Sequence, residues 1–383
     1  MTNTFNLLGC NLSPLLFALF LNNLGHELNQ TGLGIDLGGV NISCICFADD
    51  IILLGKNSQS LDFLMNLTRS FFLHHRLKLS QLKSKIMTHN AAIGKISFQG
   101  PLLDPLTLDQ ILSFKYLGIY LSTSPYNLFK SFNNHVKTKA KNYLHHVLAL
   151  VKSGPDRSEL AHTLWTQCAL PAILYGTEII PLTQGTIDEI ARCQNLVGKF
   201  ILQLPRNSTN IVASIDGGLQ PVWSLVAEKV LFYSSKVMKY PASYWPKLAM
   251  EENLALGTRS PYTKYLIKWK KATNTFGVTN KAMKDNILKA AVDDVVKERM
   301  TNSTSSFPMN FPNITQRSVF FKPKWWVNDS GFCKIFAEFR SCNASLGNRG
   351  PTKDGRFFKL CPLCSKQGIT AINNEVSTQI YRF

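Results

Sequence analysis

Residues 40–55 read Val-Asn-Ile-Ser-Cys-Ile-Cys-Phe-Ala-Asp-Asp-Ile-Ile-Leu-Leu-Gly, and the acidic doublet at Asp49 and Asp50 narrows the chain's options most. Aspartate is depleted in strands, so two in succession between runs this apolar imply a turn or a functional site. The reading is two strands flanking Asp49-Asp50. Adjacent carboxylates repel one another, and burying either one unpaired is costly. A hard divalent cation such as Mg²⁺ resolves that conflict, because it prefers carboxylate oxygen. In two-metal phosphoryl transfer one ion activates the attacking hydroxyl while the other stabilises the leaving oxygens. A solvated hairpin tip would explain the same dipeptide, and the doublet alone does not separate the two.

Charge points to the partner. The 383 residues hold 42 Lys+Arg against 24 Asp+Glu, a net of +18, with a pI near 9.5. A chain this basic suits a polyanion, since each neutralised phosphate releases a counterion. The excess is uneven: residues 1–124 carry 8 basic and 7 acidic side chains, residues 125–205 carry 8 and 5, and residues 206–383 carry 26 and 12. Electrostatic grip on a nucleic acid is therefore expected mostly in the second half. Apolar residues make up 45%, enough to bury a core, and the length suggests two or three domains.

Nine scattered cysteines do not form a secreted disulfide pattern. The apolar run from Leu12 to Leu24 lacks the basic flank of a signal peptide and is too short to span a membrane. The expectation is a reduced intracellular protein of cytoplasm or nucleus with no membrane partner.

Residues 12–24 read as a buried helix with Ser13 as N-cap and Pro14 in the first turn. Helical spacing recurs at 58–79 through Leu61, Leu64, Leu67 and Phe71. Strand-like pieces follow at 93–121, broken by Gly94, Gly100, Pro101 and Pro105. Helices are predicted at 127–152, 157–180, 186–204, 221–239, 260–273 and 279–300, with a loop at 206–220 and a polar linker at 301–316.

Five segments then appear in a recognisable order. Gly9-Cys10-Asn11-Leu12-Ser13-Pro14-Leu15-Leu16-Phe17 resembles the "QGCPLSPLLF" block of non-LTR (LINE-type) retrotransposon reverse transcriptases. Cys46-Phe47-Ala48-Asp49-Asp50 resembles their Phe/Tyr-Ala-Asp-Asp motif, and Leu77 to Lys85 resembles their "LxLNxxKTK" block. Phe114-Lys115-Tyr116-Leu117-Gly118 resembles the primer-grip "YLG" turn, and Leu174-Tyr175-Gly176-Thr177-Glu178 the "LYGxE" signature of the thumb.

The resemblance implies an α+β fold. A partial reverse-transcriptase palm, an antiparallel sheet with helices, would occupy residues 1–124. A helical thumb would follow at 125–205, a basic helical connector at 206–316 and a basic irregular region at 317–383. It implies an RNA-directed DNA polymerase acting on an RNA template, a DNA primer or target and dNTPs, with Mg²⁺. By the same resemblance Asp49 binds the metals, with Asp50 as a neighbouring carboxylate. Lys83 becomes the proton donor to the leaving pyrophosphate. Gly9, Ser13 and Pro14 line the nucleotide pocket, Phe47 and Ala48 shape the turn, and Tyr116, Leu117 and Gly118 support the primer end. Read without the family, Leu117 and Gly118 are simply a strand end and a bend.

The chain departs from the pattern in places. Leu8 and Asn11 replace a Gln and a Pro, and the family's first metal-binding aspartate would lie before Gly9. The expectation is a truncated fragment with an incomplete two-metal site, inactive or nearly so by itself. A nucleic-acid-binding remnant, or a decayed copy of the element, shares these departures. Cys361-Pro362-Leu363-Cys364 resembles the start of the family's zinc knuckle, but no Cys or His follows it. Cys333 and Cys342 could complete a Zn²⁺ site; otherwise the knuckle is broken and its thiols free. Trp325, Trp326, Phe357 and Phe358 could stack on bases or form a small core.

Overall fold

A computed structural model describes residues 12–88, 95–100, 103–152, 157–208, 210, 213 and 217–302. Gly9, Cys361, Cys364 and the C-terminal region expected at 317–383 lie outside these residues. The described residues pack as two compact units, one formed by those up to 128 with 236–260 and the other by those of 129–235 with 261–302.

The first unit begins with α1 (Ser13–Gln30), whose Leu21, Leu24 and Leu28 fall on one face and are buried with Cys44 and Leu64. Pro14 sits in the first turn as predicted, but Leu12 occupies the cap position and no side chain caps the helix, so Ser13 is not the N-cap. Two short hairpins follow: β1 (Ile35–Leu37) with β2 (Val40–Ile42), and β3 (Cys44–Phe47) with β4 (Asp50–Leu53). Next comes α2 (Ser58–His74), capped by the Asn57 side chain, which accepts from the Ser60 amide at 2.8 Å. Two further hairpins complete the run, β5 (Lys95–Gly100) with β6 (Leu103–Asp109) and β7 (Ser113–Tyr116) with β8 (Ile119–Ser122).

Among the described residues the expected antiparallel sheet is thus four separate two-stranded ribbons. Their strands run three to seven residues, so each ladder is short and the ribbons rely on the helices for burial. Leu64 of α2 joins the α1 core, while Met65 packs with Ile86, Phe98, Leu106 and Leu108 behind β5–β6. An unforeseen helix, α8 (Trp245–Ala255), packs on β1, and its Leu248 would touch a side chain built at Gly38. Residues 236–260, assigned to the connector from sequence, therefore pack within the first unit.

The second unit is helical. Helix α3 (Pro125–Leu150) buries Phe132, Val136, Ala140, Leu144 and Val147 at near-regular helical spacing. The helix predicted at 157–180 is not continuous: α4 (Arg157–Thr163) passes through a π-turn at Leu164–Ala169 into α5 (Leu170–Ile173). The ladder slips just ahead of Pro171, which has no N–H to donate. Helices α6 (Gln184–Ile201), α7 (Val222–Val237), α9 (Pro261–Ala272) and α10 (Asn280–Asn302) follow close to their predicted bounds. Among the described residues no helix is long and apolar enough to cross a membrane.

Candidate active site

The β3–β4 hairpin is held at its root by a side-chain amide. Asn29, near the end of α1, accepts from the Ser43 amide at 2.8 Å and the Cys44 amide at 3.3 Å. Ser43 is fully buried, and its carbonyl accepts from the Leu54 amide at 2.8 Å on the return strand. Asn41 locks the preceding ribbon, its side chain accepting from the Gly34 amide at 3.0 Å and donating to the Gly34 carbonyl at 3.1 Å. These bonds orient the strand that leads to the doublet.

At the far end Phe47 pairs with Asp50, leaving Ala48 and Asp49 as a two-residue loop. Ala48 has φ +50° while Asp49 stays at negative φ, the sign pattern of a type II′ turn. A left-handed alanine costs on the order of 1 kcal/mol or more, and such strain concentrates where geometry serves a task. Phe47, Asp49 and Asp50 are all exposed.

The β7–β8 hairpin turns through Leu117 (φ +46°) and Gly118 (φ +83°), the sign pattern of a type I′ turn. The Tyr116 hydroxyl oxygen is buried and makes no hydrogen bond among the described residues. Burial raises its pKa first, and the charges of Asp50 and Cys46 push it the same way. Asp50 and the tyrosine of the fourth motif, 66 positions apart in the chain, therefore come within reach of each other's charge through folding.

Other predicted residues are not drawn in. Lys83 is exposed in a turn after Ser80 and forms no ion pair with either carboxylate, whereas Lys85 pairs with Asp109 at 2.6 Å. Ser13 and Pro14 occupy the first turn of α1. In the second unit Glu178 of the fifth motif lies 3.9 Å from Lys229, and Thr177 is buried, donating to the Leu174 carbonyl at 2.8 Å. Sequence reasoning missed Asn29 and Asn41. Their only trace is an amide beside a buried helix face and another between two strands.

Two exposed carboxylates on one tip are the right donors for a hard cation such as Mg²⁺. The set is small: among the described residues no three His, Cys, Asp or Glu side chains cluster.

Comparison with known proteins accords with this geometry. Residues 6–121 match the family described as reverse transcriptase (RNA-dependent DNA polymerase). Over 222 residues the chain is 28% identical to the retrovirus-related Pol polyprotein from type-1 retrotransposable element R2 of Popillia japonica. The alignment takes in 55% of this chain and 30% of that polyprotein. Motif order, hairpin geometry and both matches agree in likening this chain to the reverse transcriptases of non-LTR retrotransposons, and it spans under a third of the polyprotein it matches.

Proposed function

We propose that the first unit is the palm of an RNA-directed DNA polymerase, extending a DNA primer with dNTPs along an RNA template. The observation that carries this is the exposed Asp49-Asp50 tip beside the Tyr116 hydroxyl. Asp49 and Asp50 would hold Mg²⁺, which when bound favours ionisation of the primer hydroxyl and neutralises charge on the phosphates. Ala48, by its positive φ, shapes the turn that presents both carboxylates to solvent, with Phe47 exposed beside them. Tyr116, Leu117 and Gly118 would support the primer end, Gly9, Ser13 and Pro14 the incoming nucleotide, and Lys83 would protonate the leaving group.

The described residues place no third acidic group beside the doublet, so we propose that these 383 residues polymerise little by themselves. Two measurements separate the claims. Mn²⁺ binding followed by electron paramagnetic resonance should be present in the chain and lost in Asp49→Ala; equal binding by the variant would remove the palm reading. Primer extension on an RNA template should stay near background. Clear incorporation abolished by Asp49→Ala would overturn the inactivity and leave the palm standing.

A second reading, non-catalytic nucleic-acid binding, is favoured by two helices. Helices α3 and α9 each hold four lysines and no acidic residue. On α9, Lys264, Lys268 and Lys271 are exposed at i, i+4 and i+7, a single stripe. Lys268 lies 4.5 Å from the Trp269 ring centroid and donates to Gln184 at 3.2 Å. Replacing all three lysines by alanine should lower the log–log salt slope of single-stranded RNA binding by about 2. An unchanged slope would clear α9 of any phosphate contact.

A further inference from the structure

Between Glu228 and Glu251 the chain holds no acid, while Lys236, Lys239 and Lys247 fall close together. They lie where α7 ends and α8 begins, in the part of the chain that packs with the first unit. Lys236 and Lys239 are exposed, and among the described residues none of the three lysines forms an ion pair. Two tyrosines stand among them. The Tyr240 and Tyr244 ring centroids are 5.1 Å apart with their planes at 49°. Tyr240 is half-buried and braces its neighbour, whereas Tyr244 is 54% exposed.

The segment is held in shape by its own backbone. The Tyr240 amide donates to the Val237 carbonyl at 3.0 Å, and the Tyr244 amide donates to the Pro241 carbonyl at 3.0 Å. Lys247 Nζ donates to the Tyr240 carbonyl at 3.1 Å and closes the turn. Pro241 and Pro246 fix two φ angles within it. No side chain caps α8, so its leading amides are also open to an acceptor.

We propose that residues 236–247 form a stacking platform for single-stranded nucleic acid, with a base on the Tyr244 ring and phosphates at Lys236 and Lys239. The chemistry selects the occupant. An acidic peptide would satisfy the lysines and leave the tyrosine ring in water. A duplex keeps its base faces stacked on one another and has none to offer. A single strand supplies both phosphate charge and free π-faces. Because the tyrosine is braced beforehand, binding it costs little side-chain freedom. The platform uses neither the doublet nor the lysines of α9, and it stands whether or not the chain polymerises. RNA and DNA strands share these features, and the test separates them.

Short single-stranded RNA and DNA oligonucleotides carrying one 5-iodouracil, irradiated with the full chain, report the contact through site-resolved mass spectrometry. Tyr244 should crosslink to at least one of them, and the tighter of the two identifies the strand preferred. An abasic oligonucleotide of equal length, or a duplex, should compete at Tyr244 at least about 5-fold less well than the intact strand, the smallest loss expected for one stacked base. Tyr244→Phe, which keeps an aromatic face, should crosslink at the parent concentration. Replacing Lys236 and Lys239 by alanine should lower the log–log salt slope of the Tyr244 crosslink by about 1.4. Asp49→Ala, which tests the palm, should leave all these readings unchanged. No crosslink at Tyr244 with either strand, equal competition by the abasic oligonucleotide, or a salt slope indifferent to the two lysines would overturn the platform. Circular dichroism confirms that each variant is folded before it is compared.

Discussion

Replacing Trp165 by alanine should cost the second unit about 3–5 kcal/mol, the range for deleting a buried large aromatic. Trp165 is wholly buried on the π-turn between α4 and α5. Its indole N–H donates to Gln194 Oε1 at 3.3 Å, and Gln194 in turn donates to the Gln220 carbonyl at 2.8 Å. The substitution therefore opens a cavity and leaves a buried amide oxygen without its donor, two penalties that add. Urea unfolding followed by circular dichroism should show an earlier midpoint. Trp165→Phe separates the causes, since it keeps most of the volume and removes only the N–H; it should lose about 1–2 kcal/mol. A Trp165→Ala loss below about 1 kcal/mol would mean that the second unit collapses around the gap.

Gly34→Ala should be comparably damaging to the first unit, by about 3 kcal/mol. A methyl group there would overlap the Ile42 carbonyl and the Ser43 amide, and backbone cannot yield as a flexible side chain does. The displaced Ser43 amide is one of the two that Asn29 receives, so the injury should reach the root of β3. Hydrogen exchange should quicken at Ser43 and Cys44 ahead of the rest of the unit. Gly32→Ala is the control: its φ of +69° imposes strain, but nothing lies within 4 Å of the added methyl. That variant should lose only about 1 kcal/mol. Equal losses at the two glycines would show that backbone strain, not crowding, governs the crossing between α1 and the first ribbon.

The parts of this molecule legible in the sequence are those whose cause is local. Leucines at helical spacing announced α1 and α2, and an aspartate doublet between apolar runs announced a turn. The near-uniform burial spacing of α3 follows the pattern of its own residues. What escaped reading depends on distant partners. Residues 40–42 look continuous with 44–47, yet they belong to different ribbons, because Asn41 closes on Gly34 while Ser43 closes on Asn29. The break in the helix predicted at 157–180 is local, since Pro171 was there to be read, but proline at the start of a helix and proline inside one look alike until the ladder is known. Helix α8 has no strong periodicity of its own and is fixed by packing on β1. At the site, the doublet's position at a turn was readable; the reach of the Asp50 charge to Tyr116 was not, since no pattern in a linear chain records which distant residues approach.

The grip of Asn29 on the Ser43 and Cys44 amides, where β3 begins, has a consequence for how this chain tolerates change in length. A helix advances about 100° and 1.5 Å per residue. One residue inserted between Leu28 and Asn29 would swing the amide a quarter-turn aside while the leucines stayed seated, leaving Ser43 and Cys44 without their acceptor. An insertion just ahead of Leu21 would turn Phe17 and Phe20 out of their packing but leave Asn29 and the three leucines in register. Indels in such a chain should therefore be sorted by which side of Leu21 they fall, the later stretch of α1 serving as a ruler for the strand that bears the acids.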